Sequence, residues 1–194
     1  MYREQNKMKK HSTLIKLIAY DIIAIVTALV SFVLFRQTGA GWLLSLYVTF
    51  LTIAYHFTVR LAVGQAMILY YRKRPPRSGS LMTRTFSFEP ELYRKLNVKS
   101  WKNRLITARP EQFDMKKHTP DEMLRSMVQA ETGHIINMPL SFLPLLLIIP
   151  YGTAPVFTIT SVLACLMEVP FIIIQRYNMP RIIRYIERDV QRTK

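Results

Sequence analysis

The sequence predicts an all-α membrane protein: a bundle of four transmembrane helices with a basic cytoplasmic loop and a C-terminal amphipathic helix. Three observations predict it. Half of the 194 residues are hydrophobic, yet the formal net charge is +15. The apolar residues gather into four runs long enough to cross a bilayer, for which about 20 residues are needed. The basic residues collect in alternate connections between those runs, as residues retained on the cytoplasmic side do.

The runs cover roughly residues 13–35, 42–71, 124–149 and 153–174. They divide the chain into a tail with the first two spans (1–71), a basic loop (72–123), the third and fourth spans (124–176) and a basic tail (177–194). The first run follows Arg3, Lys7, Lys9 and Lys10, a start that secretory signals share. Its apolar stretch is too long for a signal core and lacks a cleavage site, so it reads as a retained helix. The second is longer than a bilayer needs and is expected to tilt or to project into the cytoplasm.

Charge sets the expected orientation. The segment 72–125 holds 14 of the 27 basic residues against 6 acidic ones, and six more follow position 174. The turn near Gly39 and Gly41 has only Arg36 beside it, and the turn near Pro150 and Gly152 has no charge. This alternation places both termini and the large loop in the cytoplasm of a multi-pass cell-membrane protein.

The run Arg72-Lys73-Arg74-Pro75-Pro76-Arg77-Ser78-Gly79 reads as a turn-rich linker. Phe86, Phe88, Tyr93, Leu96, Val98 and Trp101 follow among charges, too aromatic for a disordered tether, so this stretch packs on the bundle or lies among headgroups. After Pro180, Ile182, Ile183, Tyr185, Ile186 and Val190 share a helical face, with Arg184, Arg188 and Arg192 beside them. That pattern suits a helix lying on an anionic membrane surface; a merely solvated basic tail is the alternative. Anionic lipid beside the spans, rather than nucleic acid, is the expected partner of the basic residues. The single cysteine, Cys165, supplies neither a disulfide framework nor a cysteine metal site.

The residues that an anchor would not carry are Asp21, His56, Arg60, Glu131, His134 and Glu168. A charge at the centre of a span costs about 2.5–3.5 kcal/mol even on the mild insertion scale, so such residues face the interior and are functional candidates. Lys16 lies near a helix end and can snorkel. At 1.5 Å per residue, Asp21 lies roughly 12 Å from the cytoplasmic end of its span and Arg60 roughly 16 Å. By the same measure Glu131, His134 and Glu168 lie roughly 10, 15 and 9 Å in, which predicts one charged layer. Asp21 with Arg60 reads as an ion pair stabilising the bundle.

Glu131 and His134 are neighbours on one helix face. A carboxylate beside an imidazole holds its tautomer and raises its basicity, which makes a general base. Glu-x-x-His is also the ligand spacing of carboxylate-bridged di-iron bundles, but those use it twice with two further glutamates. It occurs once here, and no metal or cofactor is expected. The third reading is a buried pair that links helices. Gly133 between them would admit a close neighbour, and Pro170 leaves the Leu166 carbonyl without its helical donor.

These residues carry a resemblance. Ala130-Glu131-Thr132-Gly133-His134 is similar to the Ala-Glu-x-x-His element of the bacterial glycosyl-4,4'-diaponeurosporenoate acyltransferases. The run from Val169 and Pro170 through Gln175-Arg176-Tyr177-Asn178-Met179-Pro180-Arg181 resembles a second element of that family. Phe86-Ser87-Phe88-Glu89 and Trp101-Lys102 resemble two shorter ones. Gln129, Ile135, Glu168 and Met179 depart from the family pattern, so the resemblance is to the broad family rather than to one substrate. It implies transfer of a fatty acyl group to a hydroxyl of a glycosylated lipid, a glycosyl carotenoid in the named case. The implied partners are membrane lipids, an acyl donor such as acyl-CoA and a lipid-linked sugar acceptor. On this reading His134 is the base, Glu131 orients it, and Arg176 or Arg60 offsets charge on the oxyanion or donor phosphate. Trp101, Glu168, Gln175, Tyr177 and Asn178 join Arg60 and Arg176 as candidate substrate-binding residues. The alternative is a non-enzymatic lipid-binding or transport protein with a buried charged site. Either could assemble as a homo-oligomer.

Overall fold

A computed structural model of the chain describes residues 2–74, 76, 82–102, 104 and 118–192. The side chains of Arg3, Lys7, Lys9, Lys10, Val190 and Arg192, and the linker positions Pro75, Arg77, Ser78 and Gly79, lie outside the described residues. Among the described residues every regular element is helical. They are α1 (Tyr2–Thr38), α2 (Gly41–Lys73), α3 (Glu89–Lys95), α4 (Val98–Trp101), α5 (Pro120–Leu140), a 3-10 turn (Leu143–Leu147), α6 (Ile148–Tyr151) and α7 (Ala154–Arg192). Four helical stretches are long and apolar enough to span a membrane: Ile15–Thr38, Gly41–Lys73, Pro120–Tyr151 and Ala154–Asp189. They overlap the four apolar runs of the sequence. The two short connections are closed by glycines at positive φ, Gly39 and Gly152. Their amides bond back to Phe35 and Ile148, ending the helices as glycine does at little steric cost.

The chain forms two compact units. The first comprises Met1–Ala62 and Asn137–Leu166. In α1, Asp21, Ala24, Ala28 and Ser31 are buried at helical spacing, while Ile22, Ile25, Val26, Leu29, Val30 and Val33 are exposed. Small residues on the inner stripe let helix backbones approach, and the branched outer face suits lipid. The hydroxyls of Thr27, Thr49 and Thr52 return to carbonyls four residues earlier, so these three are not left unpaired in hydrocarbon. Tyr47 joins α1 and α6, its ring tilted against Phe32 with centroids 4.9 Å apart and its hydroxyl 3.0 Å from that of Tyr151.

The third span departs from the single helix expected over 124–149. It breaks after Leu140 into the 3-10 turn and α6. Pro144 has no amide to give the Leu140 carbonyl, and its ring disfavours helix before it. The Tyr55 hydroxyl takes that carbonyl instead, at 2.8 Å.

The second unit comprises Val63–Ile136 and Met167–Lys194. Its core is Tyr71, Met123, Leu124, Met127, Val128, Met179 and Ile182, with Ile183 and Ile186 packed on it. This revises the reading of the C-terminal segment. The helix after Pro180 is the continuation of α7, and the Ile182, Ile183 and Ile186 face is spent on the protein's own core rather than on a lipid surface. Tyr185 on the other side is exposed. Between α3 and α4, Asn97 adopts the left-handed conformation that asparagine tolerates.

Phe157 is fully buried and, among the described residues, Ile149 is the most exposed of the large apolar side chains. Phe157→Ala should therefore lower unfolding stability in detergent by about 3–5 kcal/mol. Ile149→Ala should change it by less than about 0.5 kcal/mol. Chemical unfolding of the purified variants followed by circular dichroism measures both.

Candidate functional site

The charged residues expected in one layer divide between the units. Asp21, His56 and Arg60 lie in the first, and Glu131, His134 and Glu168 in the second. In the first unit Asp21 accepts from Thr58 at 2.8 Å, and Arg60 donates to the His56 and Ala164 carbonyls. The contacts described for each thus run to partners other than those of the expected Asp21–Arg60 pair.

In the second unit Glu131 and His134 share a face of α5, as their spacing requires, but each meets a different residue of α7. His134 Nδ1 lies 2.6 Å from Glu168 Oε2. The ring stacks on Phe171, with centroids 4.9 Å apart and planes 10° from parallel. Glu168 is 2% exposed, whereas the His134 side chain keeps 26% of its surface. The carboxylate that orients this imidazole is therefore Glu168, in place of the Glu131 assigned by spacing. A carboxylate on Nδ1 fixes the tautomer with its lone pair on Nε2.

Glu131 is 1% exposed and serves another group. Its Oε1 accepts from Arg176 at 3.1 Å. The same guanidinium reaches Glu89 Oε1 at 2.6 Å and the carbonyls of Arg84 at 2.7 Å and Met82 at 3.4 Å. It also lies over the Phe86 ring. One cation from α7 thereby ties the loop ahead of α3 to α5. Arg176, expected to offset charge on a reactant, is saturated by the protein itself.

The neighbouring residues extend this docking. Tyr177 meets Tyr93 edge to face, and Asn178 accepts from Lys102 at 3.3 Å. Burial pushes the Tyr93 phenol well up, and the Glu89 carboxylate beside it adds to the shift. Trp101 donates to the Leu96 carbonyl at 2.9 Å, closing the α3–α4 corner. Gln175 is buried. A Cβ on Gly133 would meet Met67 and Val63 at ordinary contact distances, so the glycine is not demanded by crowding. Among the described residues no group of three or more side chains is placed to hold a metal ion.

Three participants escaped the sequence reading. Phe171 lay in an aliphatic run with nothing to mark it. Glu89 and Lys102 stood inside quoted motifs, and their charges opposite Arg176 and Asn178 were the available signal.

Residues 69–188, well over half of the chain, match the family model described as CrtO, glycosyl-4,4'-diaponeurosporenoate acyltransferase. The match takes in the loop, α5, α6 and nearly all of α7, and leaves α1 and most of α2 outside. No curated protein and no solved structure matches the chain. By the extent of that match, the chain belongs to the glycosyl-4,4'-diaponeurosporenoate acyltransferase family.

Proposed function

We propose that the protein is a membrane acyltransferase that moves a fatty acyl group onto a hydroxyl of a glycosylated lipid, with His134 as the base. The observation that carries this reading is the 2.6 Å contact between His134 Nδ1 and buried Glu168. Nε2 takes the proton as the acceptor oxygen attacks the acyl carbon. The bond from acyl carbon to donor breaks, and the proton passes from Nε2 to the departing group. Glu168 keeps the ring oriented and stabilises its charged form. The Phe171 ring restricts the imidazole to one plane. The family supports an acyl donor and a glycolipid acceptor. The positive-inside pattern supports both termini and the basic loop in the cytoplasm.

Arg176 has a different task on this reading. It holds the 82–89 segment against α5 and α7, so its loss acts on the loop before it acts on chemistry. The two roles separate in variants. His134→Ala should lower the acyl-transfer rate about 10²–10⁴-fold, the usual worth of a general base, while the protein inserts and folds normally. Undiminished transfer by that folded variant sinks the proposal. Glu168→Gln should lower kcat with little change in acceptor KM, since the amide keeps the shape but loses the charge.

Arg176→Ala strands two buried carboxylates and should cost about 3–5 kcal/mol of stability. Limited proteolysis of that variant in nanodiscs should show faster cleavage within residues 82–102. Comparing lipids from cells with and without the gene distinguishes the transferase from a carrier: loss of an acylated glycolipid is the expected result.

A further inference from the structure

Just past Arg176, the second unit carries two cations that the proposed chemistry does not use. Lys102 Nζ lies 5.0 Å from the centroid of the Tyr177 ring, and the Arg181 guanidinium lies 4.8 Å from it. Their hydrogen bonds go to neutral oxygens, Lys102 to Asn178 Oδ1 and Arg181 to the Tyr177 hydroxyl. Among the described residues neither meets a carboxylate, in contrast to Arg176, which meets two. Two like charges are thus drawn to one ring. A lysine ammonium has three donors and a guanidinium five, so most of their hydrogen-bonding capacity is unspent. Tyr93 braces the ring from its edge, which fixes the pair in place.

The position is informative. Tyr177 follows Glu168 by nine residues on one helix, about 13 Å along its axis at 1.5 Å per residue. Lys102, Tyr177 and Asn178 are part-buried and Arg181 is exposed, just past the point where the apolar run of the helix ends.

We propose that Lys102 and Arg181, braced by Tyr177 and Asn178, form a phosphate-binding subsite for a soluble acyl donor. Building on the His134 reading, the subsite holds the donor's phosphorylated head while a flexible arm carries the acyl ester or thioester to the dyad. A phosphodiester lipid headgroup offers the same oxyanion. The part-buried Lys102, held between the Tyr177 ring and Asn178, favours a donor phosphate docked in one geometry over mobile headgroups.

The test is calorimetric titration of coenzyme A into the full chain in phosphatidylcholine nanodiscs, repeated in phosphatidylglycerol nanodiscs. Wild type should bind in both. Lys102→Gln and Arg181→Gln should each weaken binding about tenfold, the scale of one charge-assisted contact. Arg104→Gln, an exposed cation off the ring, should bind as wild type. His134→Ala should also bind as wild type, so failure of the base assignment leaves this measurement intact. Equal affinity in wild type and both glutamine variants overturns the subsite. So does binding that is absent in phosphatidylcholine, or abolished by phosphatidylglycerol, because either result assigns the cations to lipid.

Discussion

A guanidinium buried between two carboxylates is a demanding arrangement. Removing each ion from water costs several kcal/mol even after relaxation, and only close, well-directed partners offset that. Arg176 obtains them from Glu131 on α5, from Glu89 at the head of α3 and from two loop carbonyls. The rest of the second unit follows from this constraint. Holding Glu89 fixes α3, which puts Tyr93 against Tyr177 and the α3–α4 corner beside Asn178. Holding Glu131 sets the register of α5 on α7, and in that register His134 comes opposite Glu168. The second oxygen of Glu131 is buried without a hydrogen-bond partner, so one cation is stretched across more acceptors than it can fill.

The spans were legible because hydropathy and the positive-inside pattern act on whole segments, where single-residue effects average out. The two glycine turns were legible for the same reason, as bare gaps between long apolar runs. The interruption at Leu140 was not, since Pro144 sits in an apolar sequence whose mean hydropathy hides the lost amide. At the site, spacing placed Glu131 beside His134 correctly but could not say which way either would turn. The answer lay in the opposite helix, where a cation and a carboxylate stand eight residues apart. In antiparallel order Arg176 faces the earlier residue, Glu131, and Glu168 the later one, His134. Local periodicity reports neighbours within a helix, whereas partners across helices depend on register.

The C-terminal segment shows the same limit from another direction. Its apolar face was visible, and a basic amphipathic helix next to a membrane suggests the bilayer as partner. Hydrophobic burial is non-directional, however, and Met123, Met127 and Tyr71 offered an apolar surface within reach. The surface left to solvent is correspondingly the charged one, including Arg181 and Arg184.

The prolines of α7 have a mechanical meaning. Pro170 and Pro180 each delete one rung of the backbone ladder, to the carbonyls of Leu166 and Arg176, without ending the helix. Bending compliance concentrates at such gaps. The intact turns between them carry Phe171, Gln175 and Arg176, so imidazole stacking and loop anchoring ride on one short rod jointed at both ends. A tilt of that rod moves the aromatic plate under His134 and the clasp on the loop by a common angle, coupling the two through backbone geometry alone.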